Sequence, residues 1–174
     1  MSDAPWLIRP ATARDRGLLA HFSCATSSDE WQTEVEEFIR GSLFDWTFAP
    51  AAQVDDPRLL LLLSRQSHEL IGLAAHERKS MSYPGRAGFD ATKLYVAALD
   101  KDWQGKRFRS GERASDVLMN ALLIDVRNRV PKRDARIFAL VHEDNLRSIA
   151  LCKRHGLTQE MSRQSPQYRS LITP

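Results

Sequence analysis

Residues 135–157, ARIFALVHEDNLRSIALCKRHGL, restrict the fold more closely than any other stretch of the chain. ARIFALV (135–141) is a short apolar run of residues that suit a buried strand. The segment after it predicts a helix: Asp144 or Asn145 can accept the orphan N–H groups of the first turn, and Lys153 and Arg154 sit where the macrodipole is negative. Gly156 supplies the left-handed residue that stops it. Strand, polar turn and helix in this order put the helix start at the C-terminal edge of a sheet, where α/β folds bind ligands. At about 100° per residue, Asn145, Ser148 and Cys152 fall within roughly 60° of arc. Leu146, Ile149 and Ala150 are expected to form a separate apolar face, so one face packs and the polar one is free to hold something.

The chain has 174 residues and no linker or composition break, which predicts a single domain spanning 1–174. Its 43% apolar and 27% charged residues are ordinary for a soluble globular protein. The longest apolar run, LLLLL at 59–63, is far too short to span a bilayer, and no signal-peptide pattern opens the sequence. Two cysteines, Cys24 and Cys152, make neither a disulfide framework nor a metal-ligand spacing. A cytoplasmic protein without a metal or membrane partner is expected.

WLIRPA (6–11) reads as a strand and ARDRGLLAHF (13–22) as a helix capped by Thr12. A second helix is expected from Asp29 to Leu43, followed by a loop over 44–57 that contains two prolines. RLLLLLSRQ and ELIGLAAHERK, separated by Ser67 and His68, predict an antiparallel hairpin, and KLYVAAL (93–99) a third, central strand. Ala114, Val117, Leu118, Ala121, Leu122 and Asp125 recur at helical spacing within residues 111–130, and Pro131 ends that helix. LTQEMSRQ and QYRSLIT close the chain as two strands. The predicted order is β-α-α-β-β-β-α-β-α-β-β: an α/β architecture with a central mixed sheet flanked by helices on both sides.

The net charge is +3 and the sequence pI about 9.1, which permits a nucleic-acid partner without requiring one. The cations cluster. KDWQGKRFRSGER (101–113) carries Lys101, Lys106, Arg107, Arg109 and Arg113 against Asp102 and Glu112. A loop that leaves a strand and enters a helix aims free N–H groups at whatever lies in front of it. Ser110, Gly111, Glu112 and Arg113 form that entrance, with Gly111 admitting close backbone approach and the cations adding charge-assisted bonds to phosphate oxygens. Glu112 opposes an anion there, and a solvated cationic loop is the alternative.

LYVAALDKDWQG, then a helix, an apolar strand and the spacing N-x-x-S-x-x-x-C-x-x-x-G-L, resemble the GCN5-related N-acetyltransferase (GNAT) family. In that family a strand leads into a Q-G-x-G-x-G/A phosphate loop, and a later helix carries N-x-x-A-x-x-x-Y-x-x-x-G-F. The likeness covers residues 69–157, and the element order extends it to the whole chain. It implies acetyl-CoA as cosubstrate. Lys106, Arg107, Arg109, Ser110, Gly111, Arg113 and Ala114 would meet its pyrophosphate, and Ala97, Ala98 and Leu99 its pantetheine. Asn145, Ser148 and Cys152 would line the other side of the thiol arm. The chain departs from the family pattern in two places. The second and third loop glycines fall on Arg107 and Arg109 in a longer loop, which shifts the cradling to Gly111 and Ala114. Cys152 stands where the family has the tyrosine that protonates the departing thiolate. With an ordinary pKa near 8.5 a cysteine can give that proton; the alternative is a small buried filler, with water doing the work.

The resemblance implies direct attack of a neutral amine on the thioester, with oxyanion donors on the backbone near Ala98, Leu99 and Asp100. Candidate bases are His76, Glu77, His142 and Glu143, of which Glu77 and His142 are singled out. Asp29, Glu30, Glu34, Glu36 and Glu37 are candidates to receive a cationic amine, and Trp31, Trp46 and Phe48 to wall a pocket; solvated face and core packing are the alternatives. FSC (22–24) is faintly similar to GNAT toxins that acetylate aminoacyl-tRNA. Three functions are therefore open. The leading one is an N-acetyltransferase acting on a primary amine of a small molecule or protein. The others are a non-catalytic acyl-CoA-binding module and a toxin with tRNA as partner. A homodimer is compatible with each.

Overall fold

The computed structural model describes residues 4–49, 56–83, 86–129, 136–161 and 165–174. Its elements are β1 (Trp6–Pro10), α1 (Arg16–Ala20), α2 (Glu30–Gly41), α3 (Leu43–Thr47), β2 (Arg58–Ser64), β3 (Leu70–Tyr83) and β4 (Arg86–Leu99). They continue with α4 (Ala114–Arg129), β5 (Arg136–His142), α5 (Leu146–Arg154), β6 (Gln159–Glu160) and β7 (Tyr168–Ile172). The seven strands form one mixed sheet in the order β1-β2-β3-β4-β5-β7-β6, in which β4 and β5 are parallel and every other pair is antiparallel. This is the expected architecture.

The leucine run of β2 does not alternate because both of its faces are covered. Leu59, Leu61 and Leu63 pack with Leu73, Ala75, Leu19, Phe22, Ile39 and Leu43 on the side of α1–α3. Leu62 turns the other way, joining Ala74, Leu94, Ile137 and Ala139 beneath α4 and α5. In α4 the buried stripe is Ala114, Val117, Leu118, Met119, Leu122, Leu123 and Val126, broader than the expected spacing.

Four boundaries differ from expectation for physical reasons. Residues 13–22 split into a 3₁₀ turn at Ala13–Asp15 and the short α1. There Asp15 accepts from Thr12 N–H (2.7 Å) and Thr12 Oγ1 (2.9 Å) and takes both prongs of Arg9 (2.7 and 2.6 Å). Residues 44–47, expected as loop, belong to α3, because the helix expected to run to Leu43 breaks at Ser42 and a new one buries Leu43 and Phe44. β3 and β4 run further than the apolar pattern, since Arg78, Lys79 and Ser80 are exposed and leave no burial signal to read. β6 is confined to two residues. The expected stop at Pro131 lies outside the described residues. Among the described residues no helix is long and apolar enough to cross a membrane.

Candidate functional site

The parallel pairing of β4 with β5 is short. Ala91–Leu94 lie against Arg136–Ala139, and there the ladder ends. Among the described residues, β4 continues to Leu99 paired only with β3, and β5 continues to His142 paired only with β7. The register of β3 against β4 slips between Ala75/Val96 and His76/Leu94, which leaves Tyr95 as an extra, bulged residue. A bulge bends its strand and raises the local twist, so β4 turns away from β5 at the point where their pairing stops. The result is a cleft between two strand ends. Along its wall Ala97 is exposed and Ala98 and Leu99 are half-buried, and the β4 edge turned from β3 carries backbone groups without a strand partner among the described residues.

The end of β4 is tied to the connection between α1 and α2. Gln104 Nε2 donates to the carbonyls of Cys24 (2.6 Å) and Leu99 (3.4 Å), and its Oε1 accepts from Arg147 Nη1 of α5 (3.4 Å). Lys101 N–H donates to Ser23 O (2.7 Å). Glu36 holds the same connection by accepting from Cys24 N–H (2.7 Å), Ala25 N–H (2.9 Å) and Ser23 Oγ (3.2 Å). Burial works to raise the Glu36 carboxyl, and these backbone donors with Arg40 outweigh it, so its pKa is lowered. Glu36, expected as a receiver of substrate, is thus committed to its own protein. Gln104 and Arg147 were not singled out from the sequence, although Gln104 occupies the first position of the loop motif.

The basic loop folds on itself. Arg107 and Arg113 bridge across it, Phe108 N–H donates to Glu112 O (2.8 Å) and Gly111 N–H to Phe108 O (2.9 Å). Phe108 is buried against Trp6 and Trp103. Ala114 is fully buried, and its N–H reaches Lys106 O at 3.3 Å. The N–H groups of Gly111 and Ala114 are therefore occupied here. Gly111 is required by its φ of +89°, not by crowding, since a Cβ there would meet nothing within 4 Å. Lys106, Arg107, Arg109, Ser110 and Arg113 are exposed. Among the described residues none of Lys101, Lys106, Arg107, Arg109 and Arg113 has an ion-pair partner.

On α5, Asn145 Oδ1 accepts from Ser148 N–H (3.1 Å), Gly156 has a φ of +94°, and Leu157 N–H closes the end on Cys152 O (3.0 Å). The faces differ from expectation. Leu146 is 69% exposed, while Ile149 and Cys152 are both buried in the core under α4. Ile149 lies only about 60° from Cys152 around the helix, so part of the supposed polar line and one of the three residues of the supposed apolar face share one buried surface. Asn145 and Ser148 are half-buried at its upper end. Burial pushes the Cys152 thiol up to about 11, above the ordinary value.

Beside the end of β5 a cavity of about 720 Å³ is lined by Asp29, Glu30, Trp31 and Glu34 of the α2 start, His142 and Asp144 at and after the end of β5, and Gln167 and Tyr168 at β7. Trp31 stacks on His142 with centroids 5.4 Å apart, and Tyr168 meets His142 edge-on at 5.4 Å. Asp144 N–H donates to His142 Nδ1 (3.3 Å), which places the proton of the neutral ring on Nε2. Of the expected bases, His142 reaches this cavity. Glu77 does not line it; it is buried on β3, 3.2 Å from Lys79 Nζ and in register with Lys93. His76 is buried with Nε2 2.8 Å from Asp125. Trp46 stacks on Tyr95 and Phe48 packs against Phe44, away from the cavity. Tyr168 and Gln167 gave no signal in the sequence, since a chain reversal after β6 alone brings them here.

No protein-family model and no curated protein sequence matches the chain. Solved structures do. A mutant of the toxin AtaT bound to the C-terminus of the antitoxin AtaR and acetyl-CoA superposes with a TM-score of 0.66 at 12% identity, over 98% of this chain and 94% of that one. A chimera of the spermidine N-acetyltransferase SpeG from Vibrio cholerae and hSSAT gives 0.62 at 14% identity, over 98% and 95%. A GNAT-family acetyltransferase from Staphylococcus aureus Mu50 gives 0.63 at 8% identity, over 97% and 98%. With β4 and β5 splayed at a bulge ahead of a basic loop, the chain has the fold of the GCN5-related N-acetyltransferases.

Proposed function

We propose that the chain is a single-domain cytoplasmic acyltransferase that moves an acetyl group from acetyl-CoA directly to a primary amine. The observation that carries this reading is the distribution of charge around the splayed strands: five cations with no ion-pair partner among the described residues in the loop after β4, an acidic and aromatic cavity beside the end of β5, and the open edge of β4. Acetyl-CoA, a polyanion with an uncharged thioester arm, is complementary to the first and third of these.

The residues present fit that group. Lys106, Arg107, Arg109 and Arg113 offer cationic donors to a pyrophosphate, and Ser110 a hydroxyl that would have to leave Glu112, to which it donates at 2.9 Å, with Gly111 and Ala114 holding the loop's shape. The edge of Ala97, Ala98 and Leu99 offers backbone partners to a pantetheine arm. Asn145 and Ser148 border the same cleft from α5. Acetyl-CoA supplies the activated acyl group. The backbone N–H groups at the end of β4 hold the developing oxyanion, and His142, the expected base that lines the cavity, takes the ammonium proton on Nδ1 as the Asp144 N–H releases it. Cys152 stands on the buried side of α5; its thiol stays protonated through the neutral range and is the proposed proton source for the thiolate.

AtaT, a toxin that binds an antitoxin, favours a second reading, a toxin acting on aminoacyl-tRNA. The carboxylates around the cavity oppose it, since they repel a phosphate backbone at the mouth. A panel of amines incubated with acetyl-CoA and read for free thiol and acetylated product tests the proposal. Acetyl-CoA binding without thiol release from any acceptor would leave a binding module.

A further inference from the structure

The cavity beside His142 is built for positive charge. Among the described residues no lysine or arginine lines it, whereas Asp29, Glu30, Glu34 and Asp144 do. Asp29 is engaged by Ser27 Oγ (2.5 Å) and Gln32 Nε2 (3.2 Å). Glu30 and Glu34 have neither an ion pair nor a side-chain hydrogen bond among the described residues. They stand four apart on one helix face, where like charges repel. The helix N-terminus explains Glu30, but its field fades within the first turn and does not explain Glu34. The aromatic wall adds an independent preference: Trp31, clamped flat on His142 with planes 11° apart, and Tyr168, edge-on to the same ring, present rigid π surfaces that attract a cation.

Acetyl transfer itself separates two nitrogens. The attacking amine is the free base: its nitrogen forms the bond to the acetyl carbon, the carbon–sulfur bond breaks, one amine proton leaves and the thiolate takes one up. A nitrogen held as a cation by carboxylates cannot do this. Carboxylates at the acceptor end therefore hold a different charged centre of the same molecule. We infer, on the basis of the N-acetyltransferase reading above, that the acceptor is a small linear diamine or polyamine. One ammonium group is held by Glu30, Glu34, Asp29 and Asp144 against Trp31 and Tyr168, while the neutral amine reaches toward the end of β5 and the open edge of β4.

The test compares butylamine, 1,4-diaminobutane, spermidine and bulk aminoacyl-tRNA as acceptors, by thiol release, and measures calorimetric binding of 1,4-diaminobutane to the wild type and to E30Q/E34Q. The diamine is expected to exceed butylamine in kcat/KM by about tenfold, and the double variant to raise its KM and weaken its binding by a similar factor. E34K should remove the preference altogether. Equal use of butylamine and diamine, preference for aminoacyl-tRNA, or diamine binding untouched in E30Q/E34Q would overturn the inference. If no acceptor releases thiol and yet diamine binding depends on Glu30 and Glu34, the transferase reading fails and the cation site stands. If butylamine turns over as well as the diamine, the cation site fails and the transferase stands.

Discussion

Trp31, in the first turn of α2, lies flat on His142, the last residue of β5, with ring centroids 5.4 Å apart and planes 11° apart. One aromatic contact thus joins the helix that begins after the α1–α2 connection to the strand that borders the cleft. Trp31→Ala should lower kcat/KM for the amine by about three- to thirtyfold, the range of a lost cation–π and stacking contact. Acetyl-CoA affinity, measured by calorimetry, should hold. Loss of both together would assign Trp31 to the framework of the cleft.

Acetyl-CoA at a hundredfold excess over its Kd should stabilise the folded chain by about 2.7 kcal/mol, an increase in Tm of about 5–10 °C. Replacing Arg109 and Arg113 together with Ala should weaken this binding at least tenfold and flatten its dependence on salt. S-acetylpantetheine, which lacks the pyrophosphate, should bind both proteins alike. Equal losses for the two ligands would show that the loop's fold, and not its charge, had been damaged.

Cys152→Ala should lower kcat about ten- to a hundredfold with little change in acetyl-CoA affinity, because a proton given to the leaving thiolate matters only as charge develops. It should also cost about 1 kcal/mol of stability by opening a small cavity beside Ile149. Stopped-flow turnover combined with urea titration separates the two effects. A stability loss with full turnover would make Cys152 packing alone.

Acid should weaken the fold in two stages. Burial, opposed by Asp125, keeps the His76 pKa below its ordinary 6.5, so the unfolded chain binds the extra proton and stability falls as the pH drops below that value. The hydrogen bond from Arg9, with those from Thr12, lowers Asp15 from 3.8 to about 2. Its contribution, at most about 2 kcal/mol, is complete above the unfolded value and is lost as the pH falls from about 4 toward 2. Urea midpoints from pH 7 to pH 2 should show both losses, and Asp15→Asn should remove the second.

The sequence by itself determined the elements whose signals are local. The apolar runs of β2 and β5, a cap at Asp144 or Asn145, the left-handed Gly156 and the strand, basic loop and helix of residues 93–129 are all legible because each depends on neighbours within a few residues. Their order was enough for a mixed sheet with helices on both faces. The tertiary structure alone decided what those elements enclose. Whether Cys152 faces a cleft or a core depends on how α5 rolls against α4, and the roll is set by burying Ile149. Glu36 and Glu34, two residues apart on α2, have opposite fates because one points at the backbone of Cys24 and Ala25 and the other at open space. The cleft exists because Tyr95 bulges β4 away from β5, and the cavity because β7 carries Tyr168 back beside His142. Such contacts join residues far apart in the chain, and no period or cap within the sequence encodes them.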